Sequence, residues 1–370
     1  MLKLIDRILG DFFIYFFPPA KKIPQPTKIN RILIIKLVAM GDLIVISPLL
    51  QTLQQHYPTA KIDLLTTPRV KSVVEHQNLY NKIYYLKFNL KFIKSFVKNW
   101  QLLKKQKYDL VLDLEFYYRI TSIFTYLIKP NYCLGWSSFP MRSKIYNQTI
   151  KYNQEIHVAE TFLDFASILK IVKKIELLKP ITYSIYDKNH VNILLKNIPR
   201  DFILIHIGTS NRAKSRRWTN KNWTKIFNEL VNERNDPSIT PQNIVLTGGT
   251  IEGKLLKKII LPTKNTFNLI GKTNIPQLAY LMTKAKLFIG LDTGPTHIAA
   301  AMGITTIGLY GPNSPKRWGP YSINSQVIYH ELSCSECTRQ FAGQVSKCKN
   351  NICLQIITVN EVIEKIHKII

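Results

Sequence analysis

Asp292, Thr293, Gly294 and His297 stand close together in Phe288-Ile289-Gly290-Leu291-Asp292-Thr293-Gly294-Pro295-Thr296-His297, where an apolar run gives way to an Ala-rich helical pattern. Pro295 suits the first turn of a helix, where a missing N–H is no loss. Gly294 lets the backbone come close to a ligand. Free N–H groups at such a helix start form an anion site, and His297 lies about one turn in. The stretch reads as a strand, loop and helix that hold a negatively charged group, a phosphate above all. The plainer reading is an ordinary turn in which Asp292 caps the helix. A second loop, Gly208 to Trp218, gathers Thr209, Ser210, Arg216 and Arg217. Hydroxyls, backbone N–H groups and guanidinium forks in one loop complement a diphosphate. In a third, Thr247 to Glu252, Glu252 can accept ribose hydroxyls or simply face the dipole of a helix start. Asp42, just behind Gly41, can cap a helix or act as a general base in a cleft.

Strands must deliver these loops. Arg31 to Leu37 is a continuous apolar run of the kind found in parallel sheets covered on both faces. A short turn from Val38 to Asp42 follows, then a helical pattern from Leu43 to Tyr57, then the strand Lys61 to Leu65. That is a βαβ unit, and Tyr108 to Leu114 adds another strand. The pattern restarts at Phe202 to Ile207, followed by a helix around Trp223 and strands at Asn243 to Thr247, Leu287 to Gly290 and Thr305 to Tyr310. Two doubly wound α/β halves are expected, with ligands at the carboxyl ends of their strands and in the cleft between them.

The chain has 370 residues, long enough for two domains. Lys and Arg number 51 against 23 Asp and Glu, a formal charge of +28. Such a field draws polyanions, whether nucleic acid, an anionic membrane or a phosphorylated substrate, or it reflects a compositional bias towards lysine. The interleaved aromatic and arginine motifs of common nucleic-acid folds are missing, which argues against nucleic acid. Asp6, Arg7 and Asp11 interrupt the apolar N-terminus, so neither a secretory signal nor a spanning helix is expected there. Residues such as Leu9, Phe12, Phe13 and Phe16 still make a strongly apolar helix that ends at Pro18-Pro19. It is read equally as an interfacial anchor or as a helix packed on its own protein. Lys87, Lys91, Lys94 and Lys98 fall on one face of a basic amphipathic helix, with Ile93, Val97 and Trp100 elsewhere. Near the C-terminus, Cys334, Cys337, Cys348 and Cys353 could bind zinc, though the second pair is spaced more widely than in a zinc ribbon. Disulfide exchange and simple packing are the alternatives.

The ordered motifs resemble glycosyltransferase family 9, the heptosyltransferases of lipopolysaccharide core assembly. The likeness runs from about Arg31 to the C-terminus. It rests on Ile34-Ile35-Lys36-Leu37-Val38-Ala39-Met40-Gly41-Asp42-Leu43-Ile44 with Pro48 following, and on Tyr57-Pro58 with Ala60, Ile62 and Asp63. Its strongest part is Asp292 to Ala300, then Gly303 and Leu309-Tyr310-Gly311-Pro312. The resemblance implies an α/β GT-B fold, two Rossmann-like doubly wound parallel-sheet domains with an interdomain cleft. An apolar helix and linker (1–28) would precede an acceptor domain (29–185) and a nucleotide-sugar domain with the cysteine-bearing tail (186–370). The implied reaction is inverting, metal-independent transfer from an ADP-heptose or related donor, with no cofactor. Asp42 matches the general base, with Gly41 and Lys36 on the acceptor side. Thr209, Asp292, Thr293, Gly294 and His297 match the donor site. Where relatives commonly have Lys-Arg-Trp, this chain has Arg216-Arg217-Trp218, and Arg216 is taken to hold the diphosphate. An anionic lipid-linked saccharide as acceptor, and a peripheral position on the cytoplasmic face of the inner membrane, would suit the charge. The rival readings are a non-catalytic polyanion- or membrane-binding protein and a GT-B enzyme using another nucleotide sugar.

Overall fold

The computed structural model describes residues 2–232, 241–338, 346 and 348–370, and the side chains from residue 6 onward within that set. Two compact units divide the chain, with the changeover between Glu176 and Leu177.

The first unit begins with α1 (Leu2–Tyr15), then β1 (Arg31–Ile35), α2 (Met40–Val45), α3 (Ser47–His56) and β2 (Lys61–Thr66). It continues through α4 (Lys71–Val74), β3 (Lys82–Tyr85), α5 (Phe92–Lys105), β4 (Leu110–Asp113) and α6 (Arg119–Ile128). β5 (Tyr132–Trp136), α7 (Pro140–Ser143), β6 (Gln148–Ile150) and α8 (Val158–Ile168) complete it. The second unit runs α9 (Ile185–Leu194), β7 (Phe202–His206), α10 (Asn220–Val231), β8 (Asn243–Thr247), α11 (Thr250–Leu256) and β9 (Thr266–Asn268). Then come α12 (Ile275–Met282), β10 (Leu287–Leu291), α13 (Gly294–Ala301), β11 (Thr306–Leu309), α14 (Pro315–Trp318) and β12 (Ser325–Ile328). Two C-terminal helices, α15 (Ile352–Gln355) and α16 (Val359–His367), follow.

The two sheets are built alike. The first has the order β3-β2-β1-β4-β5-β6 and the second β12-β11-β10-β7-β8-β9. Counted within its own unit, each is the doubly wound order 3-2-1-4-5-6, and every strand pairing is parallel. The order reverses beside the first strand, between β1 and β4 in one sheet and between β7 and β10 in the other. Strands diverging to opposite sides leave a crevice at their carboxyl ends there. All five residues of β7 and of β10 are buried, as is most of β1, which explains why these strands read as unbroken apolar runs.

The helix expected from Leu43 to Tyr57 is two helices, broken at Ile46. Pro48 stands in the first turn of α3, where it has no N–H to continue a ladder from α2. Ser47 Oγ turns back to the Ile44 carbonyl at 2.6 Å. The basic helix starts only at Phe92, so Lys87 precedes it, and Ile93 and Val97 are exposed on it beside Lys94 and Lys98 rather than buried away from them. The N-terminal helix packs on α6 and α7 through one face, as the second of its two readings expects, and exposes the other face.

Candidate active site

Asp42 lies in the first turn of α2, past the carboxyl end of β1, and is 5 % exposed. The cap position of α2 is Ala39, held at φ 74, a left-handed conformation that costs a non-glycine residue about 1 kcal/mol or more. Asp42 Oδ2 meets Lys36 Nζ at 2.7 Å. Lys36 is fully buried, and its ammonium also faces Glu115 Oε2 at 3.4 Å and the Phe116 ring at 4.5 Å. Burial alone would lower the Lys36 pKa, but Asp42 and Glu115 outweigh it and the ammonium is held above its ordinary range.

Glu115 comes from the loop after β4, the other strand of the switch point, and accepts the Leu37 N–H at 3.1 Å. Buried Arg142 fastens that loop, donating to the carbonyls of Phe116 at 2.7 Å and Glu115 at 2.8 Å and pairing with Asp113 at 3.0 Å. Burial pushes the Asp113 pKa up, against the pull of Arg142 and Tyr146. Neither Glu115, just past the strand expected from Tyr108 to Leu114, nor Arg142 was singled out from the sequence.

In the second unit the loops after β7 and β10 come together at the switch point. Asp292 is buried, and its carboxylate pairs with Arg216 Nη1 at 3.3 Å and accepts from Asn313 Nδ2. Burial raises its pKa, while Arg216 and Asn313 oppose the rise. The cap position of α13 is Thr293, not Asp292, so the capping role considered for Asp292 is not the one it takes. Pro295 occupies the first turn, as its type predicts. His297 is buried, and its burial, with Arg216 nearby, lowers its pKa to about 4. It is a neutral imidazole at pH 7. Thr293 Oγ1 and His297 Nδ1 are buried with no hydrogen-bond partner among the described residues, a mark of a site prepared for a polar ligand.

Arg217 takes a different part from Arg216. Its Nη2 donates to the Thr209 carbonyl at 2.8 Å and its Nε to Thr209 Oγ1 at 3.1 Å, so it staples its own loop. Thr209 Oγ1 in turn donates to the Ala213 carbonyl at 2.8 Å, and Ser210 is exposed at the turn. Glu252 is buried in the first turn of α11, where its Oε2 accepts the Gly249 N–H at 2.8 Å and its Oε1 faces His206 Nε2 at 3.6 Å. It therefore does the helix-start work, and its second oxygen lies against the imidazole. Burial lowers the His206 pKa despite Glu252. His206 and Asn313 were not singled out from the sequence, although both sit at or just after strand ends.

The zinc expectation for the C-terminal cysteines is not carried by this geometry. Cys334, Cys337 and Cys348 are exposed and Cys353 is buried. No group of three or more His, Cys, Asp or Glu among the described residues is placed to hold a metal ion. Cys353 Sγ lies against Gly311, and burial lifts its thiol pKa to about 11.

Two Rossmann-order α/β units, each with a polar cluster at its switch point, place the chain in the GT-B fold class. The chain belongs to glycosyltransferase family 9 (heptosyltransferase), whose profile matches residues 96–344. It is similar to lipopolysaccharide heptosyltransferase 3 of Escherichia coli, at 22 % identity, with 89 % of this chain and 96 % of the relative aligned. Its fold matches that of a family 9 glycosyltransferase from Veillonella parvula with a TM-score of 0.79 and 19 % identity, covering 92 % of this chain and 97 % of the other. It also matches E. coli heptosyltransferase WaaC, solved with ADP-2-deoxy-2-fluoro heptose, at a TM-score of 0.66 and 20 % identity, covering 91 % and 99 %.

Proposed function

We propose that this heptosyltransferase-family enzyme moves a heptose, or a related sugar, from an ADP-sugar to an anionic, lipid-linked saccharide of the lipopolysaccharide core. The reaction inverts the anomeric centre and needs no metal. Asp42 is the general base. The observation that carries this reading is a buried carboxylate at the switch point of the first sheet, paired at 2.7 Å with a buried ammonium.

In this scheme the acceptor hydroxyl gives its proton to Asp42 as its oxygen attacks the anomeric carbon, and the bond from that carbon to the ADP oxygen breaks on the opposite face. Gly41 leaves room for the acceptor beside Asp42, and Lys36 serves that side through its ion pair. The departing diphosphate gains negative charge. Arg216, the N–H groups at the start of α13 near Thr293 and Gly294, and the Thr209 and Ser210 loop take it up. Neutral His297 contributes an N–H rather than a positive charge. Arg217 keeps the loop in shape, Asp292 orients Arg216, and Glu252 holds the turn after β8 through the Gly249 N–H. A family relative bound to an ADP-heptose analogue supports adenine as the base. The high positive charge suits work at the cytoplasmic face of the inner membrane.

Asp42→Asn tests the scheme. Transfer should fall by at least about 10²-fold while ADP-sugar affinity, read by calorimetry, changes little. Full turnover by the variant removes Asp42 from its role. Tighter binding of UDP- or GDP-sugars than ADP-sugars overturns the donor assignment.

A further inference from the structure

We infer that the outward face of α1 is a bilayer-docking surface that lies in the plane of an anionic membrane, with α5 supplying the charge beside it. Ile8, Leu9, Phe12, Phe13, Tyr15 and Phe16 are each more than half exposed. At the helical repeat of 3.6 residues Ile8, Leu9, Phe12, Phe13 and Tyr15 form one continuous side of α1, and Phe16 follows in the turn after it. No charged residue interrupts that side.

The opposite side is clamped to the protein. Asp6 accepts the N–H groups of Arg119 and Ile120, at 2.8 and 3.0 Å, at the start of α6. Asp11 holds the Arg119 guanidinium at 3.0 and 3.2 Å. Gly10 permits this approach, since a Cβ there would lie 2.3 Å from Arg119 Cβ. Ile14 is fully buried with Ile123 and Ile145, and Phe17 stacks on Tyr126 at 4.0 Å. With both acids turned inward, the fold fixes which side looks out.

Six neighbouring large apolar residues exposed with no charge among them mark an interaction surface. Spanning is excluded: no helix among the described residues is long and apolar enough to cross a membrane. The neighbouring charge selects a lipid surface over a second copy of the chain. α5 packs on the same helix α6, and Phe96 of α5 joins Phe17 in one cluster. α5 exposes Ile93 and Val97 beside Lys94 and Lys98, with Lys104 and Lys105 further along. Apolar tips set among lysines suit an anionic headgroup layer, whereas two lysine-rich copies would repel each other. The inference extends the membrane part of the proposed function but stands on α1 and α5 alone, because it holds whatever sugar is transferred.

The test is co-flotation of the full chain with vesicles of phosphatidylethanolamine containing one quarter phosphatidylglycerol, against pure phosphatidylcholine. Wild type should bind the anionic vesicles and retain part of that binding at high salt. Combining Phe12→Ser, Phe13→Ser and Phe16→Ser should cut partitioning at least about tenfold at any salt. Lys94→Glu with Lys98→Glu should weaken it mainly at low salt. All five positions altered here are exposed, and unchanged ADP binding by calorimetry confirms that each variant is folded. Equal vesicle binding by wild type and the triple serine variant overturns the inference. So does a lipid-free dimer that the triple variant splits while wild type ignores vesicles, which assigns the face to a second copy. Failure of transfer activity with intact vesicle binding tells against the proposed reaction instead.

Discussion

Lys36 and Asp42 form a buried ion pair at 2.7 Å, and Glu115, 79 positions from Lys36, shares the same ammonium. Asp42 and Glu115 thus reach the same ammonium from the two strands of the switch point. The two partners therefore act on Asp42 in opposite senses. Lys36→Met removes the positive neighbour and favours the protonated acid, so the acid limb of the kcat/KM profile should move to higher pH by about one unit or more. Glu115→Gln removes a negative neighbour and should move that limb to lower pH, with a slower reaction because the base is weaker. Rate profiles across the acid range read both. Shifts in the same direction would detach Glu115 from the base.

Arg216 and Arg217 are adjacent in sequence but face different tasks. Arg216 pairs with Asp292, while Arg217 is tied to Thr209. Arg216→Ala should weaken ADP binding by about 10- to 100-fold, since it deletes a charge-assisted contact and leaves Asp292 buried without a cation. Arg216→Lys should recover only part, because an ammonium lacks the fork. Arg217→Ala should cost less affinity and show mainly as lower stability. Calorimetry with ADP and urea unfolding separate the two.

Asp42, Arg216 and Asp292 each follow a strand that is buried on both faces, so an apolar run ending in polar residues marked them directly. Glu115 and Arg142 depend on which strands are neighbours. β1 pairs with β4 in register Ile35 to Asp113, and nothing local in either segment encodes that pairing. The break at Ile46 was missed for a different reason: both flanking helices are apolar enough to read as one. Thr209 and Glu252 were found as polar groups at strand ends, but their hydrogen bonds to their own loops are visible only once the chain is folded.

Glu252 is wedged against two glycines. A Cβ at Gly208 would stand 2.0 Å from Glu252 Oε1, and one at Gly248, at φ +154, would stand 2.4 Å from its Cβ. Gly208→Ala should push Glu252 off the Gly249 N–H, lowering stability by about 1–3 kcal/mol and ADP-sugar affinity by about tenfold. Gly253→Ala is the control. Its Cβ would meet Ile270 Cγ2 at an ordinary 3.6 Å, so the helix should gain about 0.5–1 kcal/mol with donor affinity unchanged. Thermal unfolding and donor titration of the two variants should diverge accordingly.

His297 makes stability depend on pH in a definite direction. Folded, its pKa is about 4 against 6.5 in an ordinary imidazole, because burial and Arg216 disfavour the cation. Between those values the unfolded chain binds a proton that the folded chain does not, so stability falls as pH drops from 6.5 towards 4. The loss attributable to this residue is on the order of 3 kcal/mol once the lower value is reached. His297→Asn cannot take up the proton. Urea unfolding at a series of pH values should show the stability difference between wild type and variant shifting towards the variant on acidification through that window, and staying constant above it. ADP should flatten the wild-type slope, because a phosphate beside His297 stabilises its cation, and should leave the slope of the variant alone. A wild-type slope that ADP does not alter would put the diphosphate away from His297.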